Sequence, residues 1–90
     1  MLRYSILVSG RVQGVGFRYH AQYLANQHGL TGWVKNLDNG MVSMEVQGTK
    51  ERIALFLSEL GSGNRFIRVD QVVKKEQELQ GSENEFRVIY

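Results

Sequence analysis

Apolar and polar residues alternate near the start of the chain. Tyr4, Ile6 and Val8 interleave with Ser5, Leu7 and Ser9, the period-two signature of a half-buried strand from Arg3 to Ser9 that ends at Gly10. A loop with Gly10, Gly14 and Gly16 follows. From Phe17 the period lengthens: Phe17, Ala21, Leu24, Ala25 and His28 fall on one stripe of a helix from Phe17 to His28, which Gly29 can close in a left-handed conformation. Leu30 to Leu37 and Met41 to Gln47 are β-rich runs that meet at Asp38-Asn39-Gly40, where Asn-Gly supplies the positive φ angles of a tight hairpin. Thr49 caps a second helix, whose Ile53, Phe56, Leu57 and Leu60 form another stripe before Gly61. Phe66 to Lys74 and Glu85 to Tyr90 read as strands, and the polar stretch Glu76 to Asn84 between them as loop.

The order βαββαβ plus a short C-terminal strand is that of an α+β, ferredoxin-like α/β sandwich, an antiparallel sheet with two helices on one face. A right-handed return of the first strand past the first helix leaves the loop from Gly10 to Phe17 at the rim of the sheet. One detail resists this reading. A two-residue hairpin turn places Lys35 on the same face as Trp33 and Leu37, so a longer turn or a bulge is expected there.

Composition narrows the function classes. Ninety residues, 42% of them hydrophobic, make one domain over 1-90 with a small core. The chain has no cysteine, which removes disulfides, thiolate nucleophiles and thiolate metal ligands together and suits a cytoplasmic location. Met1 to Ser9 is too short for a signal-peptide core and far short of a membrane span. The net charge of +2 is dispersed, and Lys74-Lys75 is followed at once by Glu76 and Glu78, so neither nucleic acid nor membrane is an expected partner. With no apolar surplus, the expected state is a monomer.

The chemistry concentrates in one segment. Gly10-Arg11-Val12-Gln13-Gly14-Val15-Gly16-Phe17-Arg18 leads from a strand end into a helix N-terminus. Glycines let successive N–H groups turn inward, the helix start adds unpaired donors, and Arg18 adds a fork suited to two phosphate oxygens. On composition alone, a tight strand-to-helix turn with a surface arginine is an equal reading. Nucleotide-binding patterns fail: the third glycine of G-x-G-x-x-G falls on Tyr19, and no Gly-Lys-Ser/Thr follows.

That run, followed by Gly29-Leu30 and by Gly32-Trp33-Val34-Lys35-Asn36, closely resembles the two signature segments of acylphosphatases. The resemblance extends over the length of the chain to the tail from Phe86 to Tyr90. It implies a ferredoxin-like enzyme that hydrolyses small-molecule acyl phosphates to carboxylate and phosphate with no cofactor, metal or covalent intermediate. By the same resemblance Arg18 and Asn36 are catalytic, Asn36 orienting the attacking water, and the amides of Gln13, Gly14, Val15, Gly16 and Phe17 cradle the phosphoryl oxygens. Position 16, variable in the family, is Gly and is expected to loosen the loop; Leu37 and the turn Asp38-Asn39-Gly40 also depart from more polar relatives.

Other chemistries have weaker support. His20 and His28 are eight apart with no partner at metal-ligand spacing, and the serines lack a nucleophile-elbow setting. Trp33 is expected to pack against the core or beside the site. The runner-up is a ferredoxin-like RNA-binding module, since Gln13 to His20 grazes the aromatic RNP1 pattern, but Gln13, Val15 and His20 all break it. A non-catalytic phosphate-binding module is a third reading, against which the intact Arg18 and Asn36 argue.

Overall fold

In the computed structural model, which describes residues 1–90, the elements are β1 (Leu2–Arg11), α1 (Phe17–Gln27), β2 (Thr31–Asn36), β3 (Val42–Gly48), α2 (Lys50–Glu59), a 3-10 turn (Leu60–Ser62), β4 (Arg68–Gln77) and β5 (Phe86–Ile89). They build a sheet in the order β4-β1-β3-β2-β5, the ferredoxin-like arrangement with one further strand at an edge. Register explains which side chains meet. Ile6 and Val34 both lie opposite Met44, a buried row beneath the helices, and Ser5 and Trp33 both lie opposite Glu45 on the open face. Phe17, Ala21, Leu24 and Ala25 of α1 and Ile53 and Phe56 of α2 close the core over that row.

Local signals set the helix ends. Gly29, at φ 67°, turns the chain so that Leu30 N–H returns to Ala25 O at 2.8 Å. Thr49 accepts a hydrogen bond from Arg52 N at 3.3 Å and caps α2.

Several boundaries differ from the sequence reading. β1 continues through Gly10 to Arg11, because Gly10 and Arg11 pair with Val69 and Arg68 across a bulge in the β1–β4 register. β4 runs from Arg68 to Gln77, into the stretch expected to be loop, since Glu76 and Gln77 pair with Tyr4 and Arg3. The β2–β3 connection is the longer turn: Leu37 N donates to Met41 O at 2.9 Å around Asp38-Asn39-Gly40, with no bulge in the register. Only Gly40 has positive φ there; Asn39 acts through its side chain, whose Oδ1 accepts from Met41 N. Lys35 does share a face with Trp33, but that is the open face, and Gly32, Val34 and Asn36 point toward the helices.

The sheet is also not wholly antiparallel, because β5 pairs parallel to β2. β4 runs antiparallel to β1 and leaves the sheet where β1 and β2 begin. The connection 78–85 crosses that end, where Glu85 O accepts from Gly32 N at 3.0 Å, so β5 starts beside the start of β2 and runs with it. Arg3 secures the crossing. It is only 2% exposed, yet its guanidinium reaches Glu45 at 2.7 Å, Gln47 at 3.2 Å and Glu83 at 2.7 Å, while Gln47 bonds the backbone of Gln80.

Candidate functional site

The end of β1, the start of α1 and the ends of β2 and β5 meet at one rim of the sheet. Between β1 and α1 the chain makes a short loop held at both ends by the buried side chains of Val12 and Phe17. Gly14 and Gly16 adopt φ 74° and 80°, a region that side chains enter only with strain. The glycine at position 16, expected to loosen the loop, therefore stands where the backbone needs one, as the N-cap of α1.

No side chain caps this helix and no acidic residue occupies its first turn. The first backbone bond of α1 runs from His20 N to Gly16 O at 3.1 Å, and none of the N–H groups from Gln13 to Tyr19 donates within the chain. A run of free amides at a positive helix end, with no acidic residue in its first turn, is an arrangement able to bind an anion.

Arg18 leans across α1 toward the end of β5. One of its nitrogens donates to Ile89 O at 3.2 Å, and its guanidinium lies 4.9 Å above the Tyr90 ring, so the fork is aimed while most of its donors remain open. The Tyr90 hydroxyl is in hydrogen-bond contact with that of Tyr19. That bond raises the Tyr90 pKa above its ordinary value, and the Arg18 charge opposes the rise. Across the loop, Asn36 ends β2. Its Oδ1 is buried and has no hydrogen-bond partner, an orphaned acceptor of the kind folding normally avoids.

Gly14, Gly16, Phe17, Arg18 and Asn36 line one small cavity of about 100 Å³ together with Val12 and Tyr19. That is well below the ~300 to 1,000 Å³ of pockets for drug-sized ligands and suits a small oxyanion. Of the residues singled out in sequence, Gln13 and Val15 do not line it. The Gln13 side chain is a strut, its Nε2 donating to Leu37 O at 2.7 Å and Met41 O at 2.8 Å, and Val15 O accepts from Asn64 Nδ2 at 3.0 Å. Tyr19, Asn64 and Tyr90 were not anticipated. Their contacts reach 71 residues along the chain for Tyr19 to Tyr90 and 49 for Asn64 to Val15, and no local pattern announces such pairs.

The remaining candidates fall elsewhere. His20 packs on the turn after α2, with Nε2 3.2 Å from Glu59 O, and His28 Nε2 is 2.5 Å from Glu59 Oε1. No three His, Cys, Asp or Glu side chains cluster as metal ligands. Trp33 sits neither in the core nor beside the cavity: it faces the open side of the sheet, with the Lys35 ammonium 5.9 Å from its ring. A larger concavity of about 530 Å³ there is lined by Trp33, Arg3, Glu45 and the 80–87 region; Arg3 is paired within it to Glu45 and Glu83, and none of the rim residues reaches it.

Fold and rim thus define an α+β protein with an anion-sized site at a helix N-terminus. The acylphosphatase family model matches residues 4–88. An acylphosphatase of Clostridium acetobutylicum is 46% identical over 90 residues, covering 100% of this chain and 99% of that one. The crystal structure of acylphosphatase from Bacillus subtilis superposes with TM-score 0.93 at 38% identity, each chain covered completely (100%). T. kodakarensis HypF is also similar, at TM-score 0.87 and 36% identity, this whole chain corresponding to 12% of that one. The chain belongs to the acylphosphatase family, a family of enzymes.

Proposed function

We propose that the chain hydrolyses carboxyl-phosphate mixed anhydrides by direct attack of a water, oriented by Asn36, on a phosphoryl group held by Arg18 and the amides of the 13–17 loop. The observation that carries this reading is the orphaned, buried Oδ1 of Asn36, a residue that lines the same cavity as Gly14, Gly16 and Arg18. An acceptor in that setting can accept a hydrogen bond from the attacking water and so aim the water's oxygen at phosphorus.

The chemistry asks little more of the protein. The new bond joins the water oxygen to phosphorus as the acyl oxygen–phosphorus bond breaks, and the bonding pair leaves with the carboxylate. Its conjugate acid has a pKa near ~4, so no proton donor is needed at the leaving group. In a loose transition state the remaining tasks are alignment and stabilisation of the equatorial oxygens, which the Arg18 fork and the free amides supply. The water's proton passes to the phosphate product, since an amide is no base. Because no residue in this scheme calls for a metal, turnover is insensitive to chelators.

The test is phosphate release from an aryl acyl phosphate such as benzoyl phosphate, in chelator, by wild type and folded Arg18→Ala, Asn36→Ala and Arg18→Lys. Each substitution lowers kcat by ~10² to 10³, Lys included, because a point charge does not replace the fork. A folded wild type without turnover sinks the enzymatic reading and favours a non-catalytic phosphate-binding module.

A further inference from the structure

The loop is built around peptide planes next to glycines, where no Cβ resists a flip. What fixes one of them is a side chain 49 residues further along the chain. Asn64 lies in the turn between the 3-10 segment and β4, and its Oδ1 accepts from Phe66 N at 2.7 Å and Ile67 N at 3.2 Å. With its oxygen thus committed to two donors, the orientation of the amide is settled, and Nδ2 faces the loop, where it donates to Val15 O at 3.0 Å.

The Val15–Gly16 peptide is trans, like every peptide bond of the chain, so its C=O and N–H point in opposite directions. Drawing Val15 O to Asn64, neither of which lines the cavity, directs Gly16 N–H the other way, and Gly16 does line it. Glycine at φ 80° on the following side has no Cβ to resist rotation of that plane, and no other side chain holds Val15 O.

We propose that Asn64 is a positioning residue for phosphoryl binding: it holds the Val15–Gly16 peptide with Gly16 N–H facing the anion and blocks the flip that would present a carbonyl oxygen instead. The inference rests on the reading of this loop as the phosphoryl site. It assigns to a residue in neither signature segment the orientation of one of the amides on which that site depends. A flipped carbonyl would repel the anion, so the loss appears both in ground-state affinity and in turnover.

The decisive variant is Asn64→Asp, which keeps the acceptor for Phe66 N and Ile67 N, and with it the turn, while removing the donor to Val15 O. Inorganic phosphate is the probe, as a competitive inhibitor and by the shift of the Gly16 amide resonance on titration. The expected result is a ~10-fold or greater rise in the phosphate inhibition constant and a ~10- to 100-fold fall in kcat/KM, with an unchanged melting profile. An effect of the added charge alone would vanish relative to wild type at about 1 M salt, where the Debye length is ~3 Å, whereas loss of the strut persists; vanishing overturns the proposal. Wild-type kinetics and phosphate affinity in Asn64→Asp likewise overturn it and leave the site reading standing. A wild type that neither binds phosphate nor turns over removes both.

Discussion

Replacing Arg3 by Met tests whether the crossing from β4 to β5 is held by one buried cation. Arg3 is 2% exposed and serves Glu45, Gln47 and Glu83 at once, so Arg3→Met keeps much of the volume but leaves the carboxylates unpaired. Breaking a fully buried ion pair costs ~3 to 5 kcal/mol. Glu83 is 12% exposed and Glu45 27%, so both partly recover hydration, and the expected loss is about 2 to 4 kcal/mol. In a chain of this size that lowers Tm by on the order of 10 to 25 °C. Urea titration and calorimetry of both proteins measure it. The pH dependence has a definite sign. Burial disfavours the Arg3 charge, but the hydrogen bonds and fields of Glu83 and Glu45 outweigh it and raise the guanidinium pKa above its ordinary value. A raised pKa gives stability that is full below the unfolded value and lost only as pH climbs through the folded one. The wild-type advantage is therefore constant from about pH 7 to 10, both far below the arginine pKa. A difference under ~1 kcal/mol, or one that shrinks by pH 10, would refute the argument.

Two further substitutions probe the frame and the loop. A Cβ on Gly32, at φ 143°, would sit 1.8 Å from Glu45 O, so Gly32→Ala must part β2 from β3; about 3 kcal/mol or more is lost, read from the denaturant midpoint, and a near-neutral result contradicts the pairing described. Gln13→Ala removes both struts to the hairpin carbonyls and is predicted to lower kcat/KM by ~10-fold while Tm falls little, because Met41 O keeps its bond from Leu37 N; unchanged kinetics would mean the strut is idle.

What could be read in the sequence was what neighbours along the chain decide. The stripe from Phe17 to Ala25, the Thr49 cap and the left-handed Gly29 are local devices, and each stands where its pattern placed it. Strand limits were less legible. Glu76 and Gln77 are polar and exposed, and only pairing with Tyr4 and Arg3 makes them strand; the direction of β5 follows from which end of the sheet the chain crosses. Arg3 gave no sign of burial, since its partner Glu83 lies 80 residues away. At the site the contrast is sharper. Gly14, Gly16, Arg18 and Asn36 sit in the two short segments that carry the family resemblance, and the structure gathers all four around one cavity. The side chains that aim them, Gln13 toward the hairpin, Asn64 toward Val15 and Tyr90 beneath Arg18, act across the fold and have no local signature.

In the proposed reaction water attacks phosphorus and not the acyl carbon. Hydrolysis of an aryl acyl phosphate in isotopically heavy-oxygen water, with mass analysis of both products after a single turnover, distinguishes the two. The expected result is the heavy atom in inorganic phosphate and none above background in the carboxylate, since Gly14, Gly16, Arg18 and Asn36 line one small cavity in which the proposed water is aimed at phosphorus. Heavy oxygen in the carboxylate would place the attack at carbon and contradict the role given to the cavity.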